Sequence, residues 1–206
     1  MLTPYSVFIV DDDAPMRDSL LMLLRGEGLR ARARAFVGAA DFLNALPDDR
    51  YACVVTDVRM PGMEGPELIR RLRSLRGDAW PIIVITGHAD VPLAVQTMKA
   101  GVTDFIEKPF DPDRILESVR GCMAALDVLT AERTQQEETQ SRLLTLTPRE
   151  RQVFDALIEG RSNKEIAQAL DISPRTVEIF RAKVMTKMQA GSLSVLVRMG
   201  LRALGR

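Results

Sequence analysis

The sequence predicts two domains in series: an α/β doubly wound five-stranded parallel sheet, then an all-α four-helix domain containing a helix-turn-helix. Three observations carry this. Apolar runs at VFIV (7–10), CVVTD (53–57), IIVITG (82–87) and DFIEK (104–108) each end in polar residues. Segments of helical periodicity separate them, as a parallel sheet with crossover helices requires. From residue 143 onward strand-like runs give way to Ser and Thr caps that open apolar-periodic segments.

After VFIV, Leu20, Leu21 and Leu24 fall at helical spacing over residues 16–25, with Gly26 and Gly28 as a stop. A weaker strand over 31–35 and a helix over 39–46, closed by Pro47, precede CVVTD. Helices are expected at 66–75 and at 93–100, the latter ended by Gly101. Asp111 can cap the next helix, with Pro112 in its first turn. Ile115, Leu116, Val119, Met123, Leu126 and Leu129 continue one apolar stripe that should pack on the front domain. The polar tail TAERTQQEETQSR holds no Gly or Pro, so a linker over 126–142 can stay helical. In the back domain, Thr147-Pro148-Arg149-Glu150 and Ser162-Asn163-Lys164-Glu165 match capping boxes, and Ser173-Pro174 repeats the Ser-cap, Pro-start order. Helices are therefore expected over 148–159, 163–170, 174–188 and 193–204. The second and third, joined by Asp171-Ile172-Ser173, form the helix-turn-helix, with Ile166, Ala167, Leu170, Ile172, Val177 and Val184 in its core.

The 206 residues carry 28 Lys and Arg against 28 Asp and Glu, yet the balance is uneven along the chain. Residues 1–125 hold 15 basic and 18 acidic groups, and residues 143–206 hold 11 and 6. A basic C-terminal domain points to a polyanionic partner. No apolar stretch approaches the ~20 residues of a membrane span, and no signal-peptide pattern opens the chain, so a cytoplasmic location and no membrane partner are expected. Cys53 and Cys122 stand in no metal-ligand spacing and read as buried thiols.

In open parallel sheets, ligands bind beyond the carboxyl ends of the strands. The apolar runs deliver Asp11, Asp12, Asp57, Thr86 and Lys108 there. Clustered carboxylates must be neutralised by protons or a cation. Hard oxygen ligands at few positions favour Mg²⁺ that retains several waters. Such a pocket handles phosphate. Asp13 and the lone His88 read as surface residues.

Residues 6–125 resemble a two-component receiver domain, the flavodoxin-like module of response regulators. The resemblance is carried by the acid pair, TDVRMPGMEG, ITGHADV and KAGVTDFIEKPF, in order and at receiver spacing. It implies that Asp57 is the phosphoacceptor and that Asp11, Asp12, Asp57 and the backbone carbonyl of Arg59 hold Mg²⁺. Thr86 would bond the phosphoryl group, Lys108 would pair with it, and Lys108-Pro109 would be a cis peptide. Thr86 and Phe105 would form the switch; Phe105 stands where many receivers carry Tyr. The partner implied is a sensor histidine kinase. Phosphorylation would produce a homodimer through a face near Val91, Lys99 and Ile115.

The run LTPRERQVFDALIEGRSNKEIAQALDISPRTVEIFRAKVMTKMQAGSLSVLVRMGL resembles the LuxR-type four-helix DNA-binding domain. With the receiver, the chain as a whole is similar to FixJ-type regulators. Double-stranded DNA is the ligand this implies, with Arg175, Thr176, Glu178, Ile179, Arg181, Lys183 and Lys187 toward groove and phosphates. Phe180 stands where the family commonly has His. The function implied is phosphorylation-activated transcriptional regulation, with phosphoryl transfer to Asp57 and its hydrolysis as the only chemistry.

Two alternatives differ in class. A haloacid-dehalogenase-like phosphatase also uses a strand-end Asp, a Thr and a Lys, but Ala14-Pro15 interrupts its motif after Asp11-Asp12-Asp13 and no acidic pair follows Lys108 on a further strand. A constitutive DNA-binding protein with a vestigial receiver would not take label from acetyl phosphate.

Overall fold

The computed structural model describes residues 5–26, 29, 31–87 and 91–203. Gly28, His88 and the last residue of the helix expected over 193–204 lie outside the described residues. The chain divides into two compact units, Met1–Leu129 and Thr130–Arg206.

The first unit alternates β1 (Tyr5–Val10), α1 (Ala14–Gly26), β2 (Ala31–Phe36), α2 (Ala39–Ala45), β3 (Ala52–Asp57), α3 (Gly65–Arg76), β4 (Ile82–Thr86), α4 (Val91–Lys99) and β5 (Asp104–Glu107), then enters α5 (Pro112–Leu144). The strands pair in parallel in the order β2-β1-β3-β4-β5. A 3-10 turn over Gly77–Ala79, not expected from sequence, links α3 to Trp80.

The period-two geometry of strands sorts the apolar runs onto two faces. Phe8, Val10, Ala52, Val54, Ile82 and Val84 face one side, against Phe42 of α2, Leu68, Ile69 and Leu72 of α3, and Trp80. Val7, Ile9, Cys53, Val55, Ile83 and Ile85 face the other, against Leu20 and Leu24 of α1 and Ile115, Leu116, Val119 and Met123 of α5. Both cysteines are free thiols buried in this second layer. Phe8, Phe36, Phe42 and Trp80 form an aromatic cluster with centroids 4.9–6.2 Å apart, and the Trp80 indole donates to the Asp49 carbonyl at 3.1 Å.

α5 starts as expected, with the Asp111 carboxylate accepting from the Asp113 N–H at 2.9 Å. It stays helical through the polar run and ends at Leu144. Of the predicted stripe, Ile115, Leu116, Val119, Met123 and Leu126 are buried, while Leu129 is exposed.

The second unit adds α6 (Pro148–Ile158), α7 (Asn163–Leu170), α8 (Pro174–Met188) and α9 (Leu193–Ala203). Both capping boxes form: Thr147 and Glu150 satisfy each other's backbone N–H groups, as do Ser162 and Glu165. The Ser173 hydroxyl accepts from the Thr176 N–H. Val153, Phe154, Leu157, Ile166, Ala167, Val177, Val184, Met188 and Leu196 fill the core, with Leu170 and Ile172 packed at its edge. α9 sits so close to α6 that a Cβ on Gly200 would stand 1.9 Å from Ile158 Cδ1.

Candidate functional site

The sheet order puts the carboxyl ends of β1, β3, β4 and β5 along one edge. Asp11 follows β1 and is 2 % exposed. Its Oδ1 accepts from the Asp13 N–H at 2.8 Å, which turns the chain into α1. Asp12 and Asp13 are exposed. Asp57 ends β3, and its Oδ1 accepts from the N–H groups of Val58 and Arg59 at 2.5 and 3.2 Å. The loop after Asp57 folds back over itself. The Gly65 N–H donates to the Val58 carbonyl at 2.8 Å, and a Cβ on Gly65 would meet the Asp57 carbonyl oxygen at 2.8 Å. Gly62 takes a φ of 83° in the same turn, a conformation that favours glycine.

One carboxylate oxygen from each of Asp11, Asp12 and Asp57 lies within 4.8 Å of the others. That donor set fits a small hard cation with water completing its shell. The Lys108 ammonium bridges two of the three acids, donating to Asp11 Oδ2 at 2.9 Å and Asp57 Oδ2 at 2.8 Å. It precedes a Lys108-Pro109 peptide that is cis, as the receiver resemblance implies. Burial raises the Asp11 pKa above its ordinary value; the Lys108 ammonium and the Asp13 N–H oppose that shift without cancelling it. Burial also works against the charge on Lys108, yet hydrogen bonds to Asp57 and Asp11 prevail and raise its pKa. The pocket thus holds more carboxylate than one ammonium neutralises, and a further cation would relieve it.

Thr86 ends β4 and is 1 % exposed; its carbonyl accepts from the Lys108 N–H at 2.8 Å. Val84 pairs with Phe105 in register, so Thr86 and Phe105 lie on the same face of the sheet. Phe105 is half-buried against the first core layer. Arg17 was not singled out by sequence. Its guanidinium donates to the Asp11 carbonyl at 2.7 Å and holds the turn that carries the acids. The available signal was a cation one turn into the helix behind the acid run.

Around the expected dimer face, Val91 is 77 % exposed and Lys99 is exposed. Ile115 corrects the sequence reading: at 0 % exposure it packs beneath the sheet with Val7, Ile9 and Ile106, so it presents no side chain to a partner. Val95 and Met98, 46 % and 52 % exposed, continue the α4 stripe from Val91 instead.

In the second unit, α7, a turn with Asp171 at φ 52°, and α8 make the helix-turn-helix. Arg175, Ile179 and Lys183, spaced i, i+4, i+8, share the outward face of α8, and all three are exposed. Glu178 is exposed beside them and Thr176 is half-buried. Arg181 turns away and donates to Asn163 Oδ1 at 3.4 Å. Lys187 is engaged internally: its ammonium contacts the Glu150 carboxylate at 2.6 Å and the Thr145 carbonyl at 3.0 Å. The Lys187 hydrogen bond, reinforced by the Thr147 cap, lowers the Glu150 pKa to about 2.

The profile of the response regulator receiver domain matches residues 7–120, and that of the luxR family of bacterial regulatory proteins matches residues 144–200. The chain belongs to the FixJ-type response regulators. It is 47 % identical over 203 residues to the transcriptional regulatory protein FixJ of Bradyrhizobium diazoefficiens, covering 98 % of each chain. Among solved structures, full-length FixJ from B. japonicum aligns at 46 % identity over 99 % of both chains, with a TM-score of 0.59. The response regulator StyR aligns at 35 % identity over 97 % of this chain and 99 % of its own, with a TM-score of 0.81. Membership makes this FixJ-type chain a phosphorylation-activated regulator of transcription and not a classical enzyme. The phosphatase and vestigial-receiver alternatives are not favoured. No helix among the described residues is long and apolar enough to cross a membrane.

Proposed function

We propose that Asp57 accepts a phosphoryl group from a phosphohistidine of a sensor kinase, and that this switches DNA binding by the second unit. The observation that carries the reading is the Lys108 ammonium held between Asp57 and Asp11 at 2.8 and 2.9 Å. An oxygen of the Asp57 carboxylate attacks phosphorus as the bond to the donor nitrogen breaks. Lys108 offsets charge on the phosphoryl oxygens, and the Thr86 hydroxyl supplies a further contact. Asp11, Asp12, Asp57 and the Arg59 carbonyl would hold Mg²⁺, which when bound neutralises excess charge on carboxylate and phosphoryl oxygens. Water later hydrolyses the acyl phosphate.

The domains are assigned as receiver 1–125, helical linker 126–142 and DNA-binding domain 143–206. Thr86 moving toward the phosphoryl group vacates space on the face it shares with Phe105, and Phe105 follows. The remodelled surface dimerises through Val91, Val95, Met98 and Lys99. On DNA, Arg175, Thr176, Glu178, Ile179 and Lys183 meet groove and phosphates, while Arg181 ties α8 to α7 through Asn163 and Lys187 anchors α8 from within. The kinase and promoter DNA place this activity in the cytoplasm.

Labelling by acetyl phosphate tests the acceptor. Asp57→Asn should abolish label and Asp12→Ala should abolish its Mg²⁺ dependence. Undiminished label in Asp57→Asn would reassign the acceptor.

A further inference from the structure

The four cations of α8 each have a protein partner, and the partners differ in what they do to the charge. Arg175 lies 4.0 Å from the Glu178 carboxylate, Arg181 reaches Asn163 Oδ1 at 3.4 Å, and Lys187 is 2.6 Å from Glu150. Lys183 stands over an aromatic ring, its Nζ 5.8 Å from the centroid of Phe180 one turn back. A carboxylate orders a cation by cancelling it. A ring attracts the ammonium through its quadrupole and leaves the net charge whole.

That difference matters for a phosphate ligand. A lysine stem is flexible and loses rotamer freedom when it docks. A partner that orders the stem without neutralising it removes part of that loss and keeps the full attraction to phosphate. Phe180 suits the task because it is half-buried against the edge of the unit's core, held from beneath, while Lys183 is exposed. With Lys187 drawn inward to Glu150, Lys183 is the lysine of α8 left on the outward face.

We propose that Phe180 is a positioning residue for DNA binding, holding the Lys183 ammonium over its ring so that it meets a duplex phosphate pre-ordered and fully charged. The proposal rests on the reading that α8 lies against DNA.

The test uses the full chain and a mixed-sequence duplex, with affinity followed across salt concentration. Proton resonances of the Lys183 ε-methylene are recorded without DNA. Lys183→Ala should lower the salt slope by about 0.9, the share of one phosphate. Phe180→Leu, which retains apolar packing, should weaken binding about two- to fivefold, and Phe180→Trp should keep wild-type affinity. In a Lys183→Ala background, Phe180→Leu should change nothing further. The ε-methylene signals should be shifted upfield by the ring in wild type and Phe180→Trp, and return to ordinary positions in Phe180→Leu. A Phe180→Leu loss that persists in the Lys183→Ala background, or unshifted wild-type signals, overturns the proposal. If the shift is present but Lys183→Ala and Arg175→Ala both leave affinity and slope unchanged, the DNA reading of α8 itself has failed and the proposal falls with it. If the slope drops in Lys183→Ala while Phe180→Leu has no effect, only the role of Phe180 is overturned.

Discussion

Two lysines sit against low-exposure carboxylates, one in each unit, and their surroundings give them opposite uses. Lys187 meets a single acid, Glu150, whose other demands are met by the Thr147 cap. Charges balance there, and the Glu150 pKa falls to about 2. Lys108 meets Asp11 and Asp57 with Asp12 close by, three carboxylates against one ammonium. Burial pushes the Asp11 pKa up. A balanced pair locks an element in place; an unbalanced cluster remains responsive to any cation or phosphoryl group that enters.

The largest expected contrast comes from Mg²⁺. At about 100 times its Kd, a ligand that binds only the folded state stabilises it by ~2.7 kcal/mol. The single tryptophan, Trp80, lies in the first unit and reports its unfolding alone. Mg²⁺ should raise the unfolding free energy that Trp80 reports by that amount and shift its midpoint upward, Asp12→Ala should erase the shift, and the second unit should not respond. A Trp80 midpoint indifferent to Mg²⁺ would remove the metal from the account.

Next in size is Glu150→Gln. It leaves an amide oxygen that can still cap the Thr147 N–H but removes the negative charge that Lys187 meets, and should cost the second unit about 1 kcal/mol by chemical denaturation. Lys187 is 35 % exposed and can turn to water, which limits the loss. Lys187→Ala should act the same way, weakening DNA binding only as far as it loosens α8.

The two sites should also respond to acid with opposite signs. The folded pKa of Glu150, about 2, lies below its ordinary 4.5. Its contribution is therefore full above pH 4.5 and is lost as pH falls toward 2. The folded pKa of Asp11 lies above its ordinary 3.8. Its contribution is greatest below 3.8 and is lost as pH rises through the raised folded value. Glu150→Gln should flatten the acid limb of the second unit's stability, whereas Asp11→Asn should raise the stability of the Mg²⁺-free first unit at neutral pH. Loss of stability in Mg²⁺-free Asp11→Asn would contradict the unbalanced-cluster description.

Most of the fold was legible in the sequence because it rests on local rules. Continuous apolar runs, Ser and Thr caps followed three residues later by Glu, and the Gly-poor run after Leu129 each specify their element without reference to distant contacts. The acid cluster was legible for the same reason, since a parallel sheet sends strand ends to one edge. What escaped depended on where long or buried side chains end up. Helical spacing puts Ile115 in the inward stripe while the family resemblance puts it near the dimer face, and its burial in the layer that holds Val7, Ile9 and Ile106 decides for the stripe. Lys187 reads as a phosphate contact from spacing along α8. Its four-carbon stem instead reaches a buried acid 37 residues away in sequence. Arg17 likewise reaches a backbone carbonyl six residues back, which periodicity does not encode.

The central claim is that charge added at the unbalanced cluster controls how the second unit binds DNA. The direct measurement is affinity of the full chain for duplexes with one or two half-sites, with and without beryllofluoride, alongside sedimentation. Effective concentration in a dimer predicts a gain of about a hundredfold on the paired site and little on the single site. Val91→Glu should remove that gain while leaving Asp57 labelling intact. A chain that stays monomeric with beryllofluoride and yet binds the single half-site far more tightly would contradict the account.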